Sequence, residues 1–211
     1  MFNDKFRLTQ AVLEGRKTMT RRIIKCPRTF RGEWVAGFNI HRSPSDKKIV
    51  GFPCMYDADE REFDMGEILP KYKLGEVVAI AQSYRDSGYS PDSLDRHPKD
   101  LSVRGLMKDS AGWNNKMFVK SYACRHHIKI VNVKIERLQD ISDEDCLKEG
   151  VIHAYTDNNG IKIYHTPHTK RGYLSTDVAQ QAFSFLIDKV SGKGTWESNP
   201  FVFAYEFVLV D

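Results

Sequence analysis

The sequence predicts an α+β fold, a small closed or nearly closed β-barrel flanked by helices and carrying long surface insertions. Three observations point there. Several short β-branched and aromatic stretches recur along the chain and end in NPFVFAYEFVLVD, which reads as a long, deeply buried terminal strand. Only three helical patterns accompany them, two of them short. Two polar stretches, 85–115 and 153–175, lack sustained periodicity and interrupt the strands.

Taken in order, LTQAVLE puts Leu8, Ala11 and Val12 on one helical face, with Thr9 as the expected N-cap and Gly15 placed to end the helix. Segments 33–38 and 48–54 read as two short strands joined by a polar hairpin connection, and Pro53 implies an edge. LGEVVAIAQSY reads as a buried strand entered through a turn at Gly75. In MFVKSYACRHHIKIVNVKIERL, Ile128 and Ile130 keep one alternating register and Val133, Ile135 and Leu138 another, so a bulge at Val131 and Asn132 is required to reconcile them. SDEDCLKEG is a helix with Ser142 as N-cap, acids in the first turn and Gly150 beyond its end. Residues 153–175 read as a polar excursion with a turn over 157–160 and a short strand around IKIY. From Asp177 to Val190 apolar residues recur every three or four positions, up to Gly192.

With 211 residues, 41% of them hydrophobic, the chain is long enough for one core without staples, and it is read as a single domain over 1–211 with insertions at about 28–70, 85–115 and 153–175. The four cysteines stand far apart with no CxxC pair, which argues against a zinc ribbon or a disulfide framework and for reduced thiols. The charged N-terminus does not read as a signal peptide, and no apolar run approaches the roughly 18 residues of a membrane span. The expectation is a cytoplasmic protein without membrane partners; sequence gives no oligomeric state.

Charge is patchy. Residues 16–31, RKTMTRRIIKCPRTFR, hold seven basic side chains and no acidic one, although the net charge is only +4. Packing such a block into a core costs solvation and self-repulsion, so Arg16, Lys17, Arg21, Arg22, Lys25, Arg28 and Arg31 are expected to face solvent or an anion such as a phosphate chain. Lys120 and Arg125 extend the candidate nucleic-acid contacts, and Tyr84, Trp113 or Tyr122 are candidates to stack a base, although each is also an ordinary packing residue. No metal site is expected. His126 and His127 are adjacent, which on a strand sends them to opposite faces, and His165 and His168 lack a third ligand. GKG at 192–194 has neither the strand before it nor the helix after it that a phosphate loop needs.

Four segments in succession, LEGRKTMTRR, KLGEVVAI, VKIERLQDISDEDCLKEGV and WESNPFVFAYEF, resemble the ASCH domain, a branch of the PUA-like superfamily, in its bacterial and phage form with long insertions. Gly15, Lys17 and Arg22 meet the family's G-x-K-x-x-x-x-R core. Thr20 stands where many members carry Glu, as it does in the ASCH-type acetylcytidine amidohydrolases. Larger members often show Trp-Val-Arg-Glu after the glycine turn, where this chain reads Ala79, Ile80, Ala81, Gln82. The resemblance implies a PUA-like barrel that binds RNA or a modified nucleobase or nucleoside, without a cofactor, and maps hydrolase catalytic positions onto Lys17, Thr20 and Glu149.

In that chemistry a neutral lysine takes the threonine proton, which requires its pKa to fall several units from about 10.4 through burial and neighbouring cations. Glu149 then protonates the leaving amine. The competing reading of the same residues is a salt bridge between Lys17 and Glu149 that ties the first helix to the barrel and keeps the lysine charged. Three functions therefore stand: an RNA- or nucleoside-binding protein, a hydrolase (an acetylcytidine-type amidohydrolase or a single-strand ribonuclease), and a non-catalytic phage-accessory interaction module.

Overall fold

A computed structural model describes residues 2, 4–88, 114–116, 119–167 and 173–210. Its centre is an antiparallel sheet of four strands curled into a half-barrel, in the order β1 (Met19–Ile23), β12 (Phe201–Val210), β8 (His127–Arg137) and β7 (Val77–Ala79). The fold is mixed α+β, as expected.

The terminal strand is central because both of its faces are apolar. Phe203, Tyr205 and Phe207 pack on one face with Val12, Ile24, Ile80, Ile128 and Ile130. Val202 packs on the other with Leu138, Ile141, Phe183, Leu186 and Ile187. Its ladder to β8 pairs Phe201 with Arg137 and Val210 with His127, and between Glu206 and Phe207 the register skips Val131. This is the bulge demanded by the two hydrophobic registers: the extra residue lets Ile128, Ile130, Val133 and Ile135 all turn toward one core.

Helix α1 (Leu8–Leu13) buries Leu8, Ala11 and Val12. Its N-cap is Arg7 rather than Thr9, because a 3-10 turn at Asp4–Phe6 feeds the helix directly. The Thr9 hydroxyl donates to Asp4 Oδ1 at 2.6 Å. Helix α3 (Asp143–Lys148) follows expectation, with the Ser142 hydroxyl accepting from the Asp145 amide. Helix α4 (Ala179–Ser191) lays Ala182, Phe183, Leu186 and Ile187 across the sheet, while Val178 and Val190 at its ends stay partly exposed.

Other expectations need correction. The β7 segment contributes three residues at the sheet's edge, not a long buried strand, and Val77 is 55% exposed. Its continuation turns into the short helix α2 (Tyr84–Ser87), capped by Ser83. In the 28–70 insertion, β2 (Thr29–Phe30) and β3 (Glu33–Trp34) form their own hairpin. A separate sheet runs β4 (Gly37–Asn39), β5 (Cys54–Tyr56), β6 (Glu62–Glu67). Pro53 does not mark an edge: it stands one residue before the central strand β5, where a missing N–H costs no ladder bond, and its carbonyl accepts from the Ile68 amide.

Residues 153–175 are not merely a polar excursion. β9 (Ile152–Thr156), β10 (Lys162–Pro167) and β11 (Tyr173–Thr176) form a three-stranded sheet that packs on α4. Among its described side chains Tyr164 and Thr166 are buried, and the Thr166 hydroxyl donates to the Ala182 carbonyl at 2.5 Å. A core made of tyrosine and threonine leaves little hydropathy signal. The turn at 157–160 is present, with Asp157 Oδ1 accepting from the Asn159 and Ile161 amides. Most of the 85–115 insertion lies outside the described residues.

Candidate functional site

β1 is an edge strand, and a cleft of about 700 Å³ runs along it between the N-terminal segment, α3 and α4. Lys17, Thr20, Arg21, Arg22, Lys25 and Glu149 all line it, so most of the residues singled out from sequence converge here. Phe2, Leu8, Phe183, Leu186 and Ile187 supply its apolar wall.

Lys17 is placed by three elements. α1 ends and the chain turns back at Gly15, after which the Lys17 amide donates to the Ala11 carbonyl. The Thr18 amide donates to the Lys148 carbonyl at the end of α3, and the Thr18 carbonyl accepts from Phe207 of β12. The Lys17 ammonium then reaches Glu149 Oε2 at 2.6 Å, the Glu149 carbonyl at 2.7 Å and the Met19 carbonyl at 2.7 Å. Glu149 is the C-cap of α3, so the ammonium lies at the negative end of that helix. That end attracts cations.

Three acceptors around Nζ match the three N–H groups of an ammonium; a neutral amine would turn its lone pair onto one of those oxygens. Burial lowers the Lys17 pKa from its ordinary value, Glu149 opposes that shift, and the nearby Arg22 and Arg21 add to it. The salt bridge anticipated as the competing reading is therefore present, in a setting that also weakens the lysine's hold on its proton.

Strand alternation separates Thr20 from Arg21. Opposite Tyr205, Thr20 shares a face with the aromatic side of β12, whereas Arg21 opposite Ala204 points toward α3. The expectation that Arg21 offers its charge to nucleic acid is corrected here. Its side chain is fully buried, and its guanidinium donates to Glu136 at 2.6 and 2.8 Å, to Asp145 at 2.9 Å and to Glu149 at 3.2 Å. Lys134 joins the same group at 2.7 Å from Asp145 and 3.0 Å from Glu136. Three cations, Lys17, Arg21 and Lys134, thus meet three carboxylates, Glu136, Asp145 and Glu149. The anion that two members of the basic run face is the protein's own.

For the Asp145 carboxyl, burial alone would raise the pKa, but Lys134 and Arg21 outweigh it and hold the group below its ordinary value. Sequence reasoning gave Asp145 only a helix-dipole role and passed over Glu136 and Lys134. The available signal was the alternation of Lys134 and Glu136 on the face of β8 opposite its core residues.

The remaining candidates divide. Arg22 and Lys25 are exposed and line the cleft. Arg16 is exposed and pairs with Glu14 outside it. Arg28 and Arg31 are exposed on and beside the β2–β3 hairpin. Lys120 and Arg125 are exposed but lead into β8 next to β7 and do not line the cleft; the Arg125 amide donates to Gln82 Oε1 and its Nε to the Ser87 carbonyl at 3.2 Å. Tyr84 is buried, Tyr122 is 43% exposed, and Trp113 and His168 lie outside the described residues. Among the described residues no group of three or more His, Cys, Asp and Glu side chains is placed to hold a metal. No described helix is long and apolar enough to cross a membrane.

Fold and site together define an α+β half-barrel protein with a cationic and apolar cleft at the open edge of its sheet, underpinned by a buried charge network. Comparison of the chain with protein-family models, curated proteins and solved structures finds no match.

Proposed function

We propose that this chain is a PUA-like, ASCH-type protein that binds single-stranded RNA or a modified nucleoside or nucleotide in the cleft along β1. The observation that carries the reading is the pairing of unlike surfaces in one cleft. Phe2, Leu8, Phe183 and Leu186 form an apolar wall, and Arg22 of β1 and Lys25 just beyond the strand's end are exposed and line the same cleft. A nucleotide has the complementary division, a base with an apolar face and an anionic phosphate. The Lys17–Glu149 bridge fixes the floor of the cleft rather than supplying its phosphate contacts. The test is titration with cytidine, cytidine monophosphate and acetylcytidine while the backbone amides are followed by NMR. Shifts in β1 together with the other cleft-lining residues, such as Leu8, Glu149 and Phe183, support the reading; shifts confined to residues away from the cleft, or none, oppose it.

A second reading, hydrolysis of an acylated amine, is favoured by one observation: Lys17, Thr20 and Glu149 line the same cleft and burial lowers the Lys17 pKa. Transfer of the Lys17 proton to Glu149 leaves a neutral amine that takes the Thr20 hydroxyl proton. The alkoxide attacks the acyl carbonyl, Glu149 gives its proton to the departing amine, and water then hydrolyses the acyl-threonine ester to release the acid and restore Thr20. A substrate must first draw Lys17 away from one of its three acceptors. Acetylcytidine turnover lost in Lys17→Ala, with nucleoside binding retained, is the result this reading requires.

A further inference from the structure

The β2–β3 hairpin carries a tryptophan that packing does not explain. Trp34 is 61% exposed, whereas its neighbour Val35 is 5% exposed and Phe30 across the hairpin lies 5.5 Å from Phe63, ring to ring. The register pairs Thr29 with Trp34 and Phe30 with Glu33. Alternation therefore sends Phe30, Glu33 and Val35 to the inner face and Trp34 outward, away from the acidic strand β6 on which Phe30 packs. At 61% exposure the indole leaves much of its apolar area facing water.

The hairpin closes through a tight turn. Its two connecting residues, Arg31 and Gly32, both have positive φ, 50° and 87°, the geometry of a tight two-residue turn. The Arg31 guanidinium lies 5.1 Å from the centre of the Phe30 ring. Arg28 and Arg31 are exposed at the two ends of the β2 arm. Thr29, which pairs with Trp34, is four residue steps beyond Lys25, which lines the cleft, so no more than about 14 Å of chain lies between them.

We infer that the β2–β3 hairpin is a second nucleotide subsite, in which Trp34 stacks one base of a single-stranded polynucleotide whose phosphates reach Lys25 at the end of the cleft. The inference rests on the cleft reading above and extends it: the ligand is a strand that runs from the cleft past Lys25 to Trp34, not a lone nucleoside. An exposed aromatic beside a cationic cleft is what sequence-tolerant binding of single strands uses, because every base offers a π-face and every linkage a charge.

The test compares cytidine monophosphate with ten-nucleotide oligo-C, as RNA and as DNA, on wild type, Trp34→Ala and Trp34→Phe. Trp34→Ala is expected to weaken the oligonucleotide by roughly 5- to 100-fold while leaving the mononucleotide unchanged. Trp34→Phe retains much of the affinity but loses the tryptophan quenching that the oligonucleotide causes in wild type. RNA and DNA behaving alike marks stacking and phosphate contact as the source; RNA alone binding adds recognition of the 2′-hydroxyl. Equal oligonucleotide affinity in wild type and Trp34→Ala overturns the inference and leaves the cleft reading standing. An equal loss for both ligands overturns it too, since Trp34 would then act on the cleft through the fold. Absence of binding by either ligand to wild type defeats the cleft reading and this one with it.

Discussion

Lys17 and Glu149 meet at 2.6 Å with both side chains buried, and the same ammonium holds the Glu149 carbonyl at the end of α3. One residue therefore closes a helix, neutralises a carboxylate and fixes the start of β1. Removing one member of a buried pair strands the other's charge, so Lys17→Met is expected to lower unfolding stability by about 3–5 kcal/mol. Adding Glu149→Gln should cost less than the sum of the single changes, by roughly 0.5–3 kcal/mol, in urea denaturation of all four proteins. Strict additivity would mean that the pair is not coupled.

Acid should attack the network at Asp145. Its pKa is held below the ordinary 3.8, so the stability it contributes is complete above that value and is lost as pH falls through the folded-state pKa. Asp145→Asn is expected to lower the urea midpoint at pH 7 and to converge on wild type in strong acid. Lys17 acts in a different window. With its pKa lowered by burial, the unfolded chain binds more protons between the folded value and 10.5, so its contribution to stability rises with pH there. Parallel wild-type and Asp145→Asn curves down to pH 2 would contradict the assignment.

Two adjacent arginines should fail differently. Arg21→Ala leaves Glu136, Asp145 and Glu149 short of a buried cation and is expected to destabilise the fold by about 3–5 kcal/mol. Arg22 is exposed in the cleft and outside the buried network, so Arg22→Ala should cost less stability than Arg21→Ala and weaken polynucleotide binding. Thermal melts and binding isotherms of the two variants check the contrast; a stable Arg21→Ala would sink the structural role given to it.

Gly150 connects α3 to the cleft with φ of 108°, and a Cβ there would lie 3.1 Å from Leu8 Cδ2 and 3.7 Å from Lys17 Cδ. Gly150→Ala combines backbone strain with a crowded contact and is expected to cost about 1–3 kcal/mol. Because the crowding falls on Leu8, the loss should shrink when Leu8→Ala is already present, as paired denaturation curves would show.

The sequence made the strands and helices with strong periodicity readable: the terminal strand, α4 and the Val131 bulge follow from apolar spacing, and the Ser142 cap from a serine followed by three acids. It hid elements stabilised by other means. The β9–β11 sheet buries Tyr164 and Thr166, which do not register as apolar, and β7 is short because α2 begins four residues later at a serine cap. In the site, the basic run located the cleft but did not separate its members. Strand alternation on β1 turns Arg21 inward and leaves Arg22 exposed, and the carboxylates that receive Arg21 come from β8 and α3, more than 100 positions further along the chain. Such long-range charge pairing has no local signature. Trp34 was readable only as part of a strand, since the hairpin register decides which of its faces meets solvent.

The central claim is that the exposed cations of the β1 cleft hold a polynucleotide, and the salt dependence of binding tests it most directly. Fluorescence anisotropy with labelled oligo-C RNA should give an affinity that falls with salt, and the double variant Arg22→Ala/Lys25→Ala should flatten the log–log slope by about 1.4, near 0.7 per lost phosphate contact. A slope unchanged in the double variant, or affinity indifferent to salt in the wild type, would contradict the account.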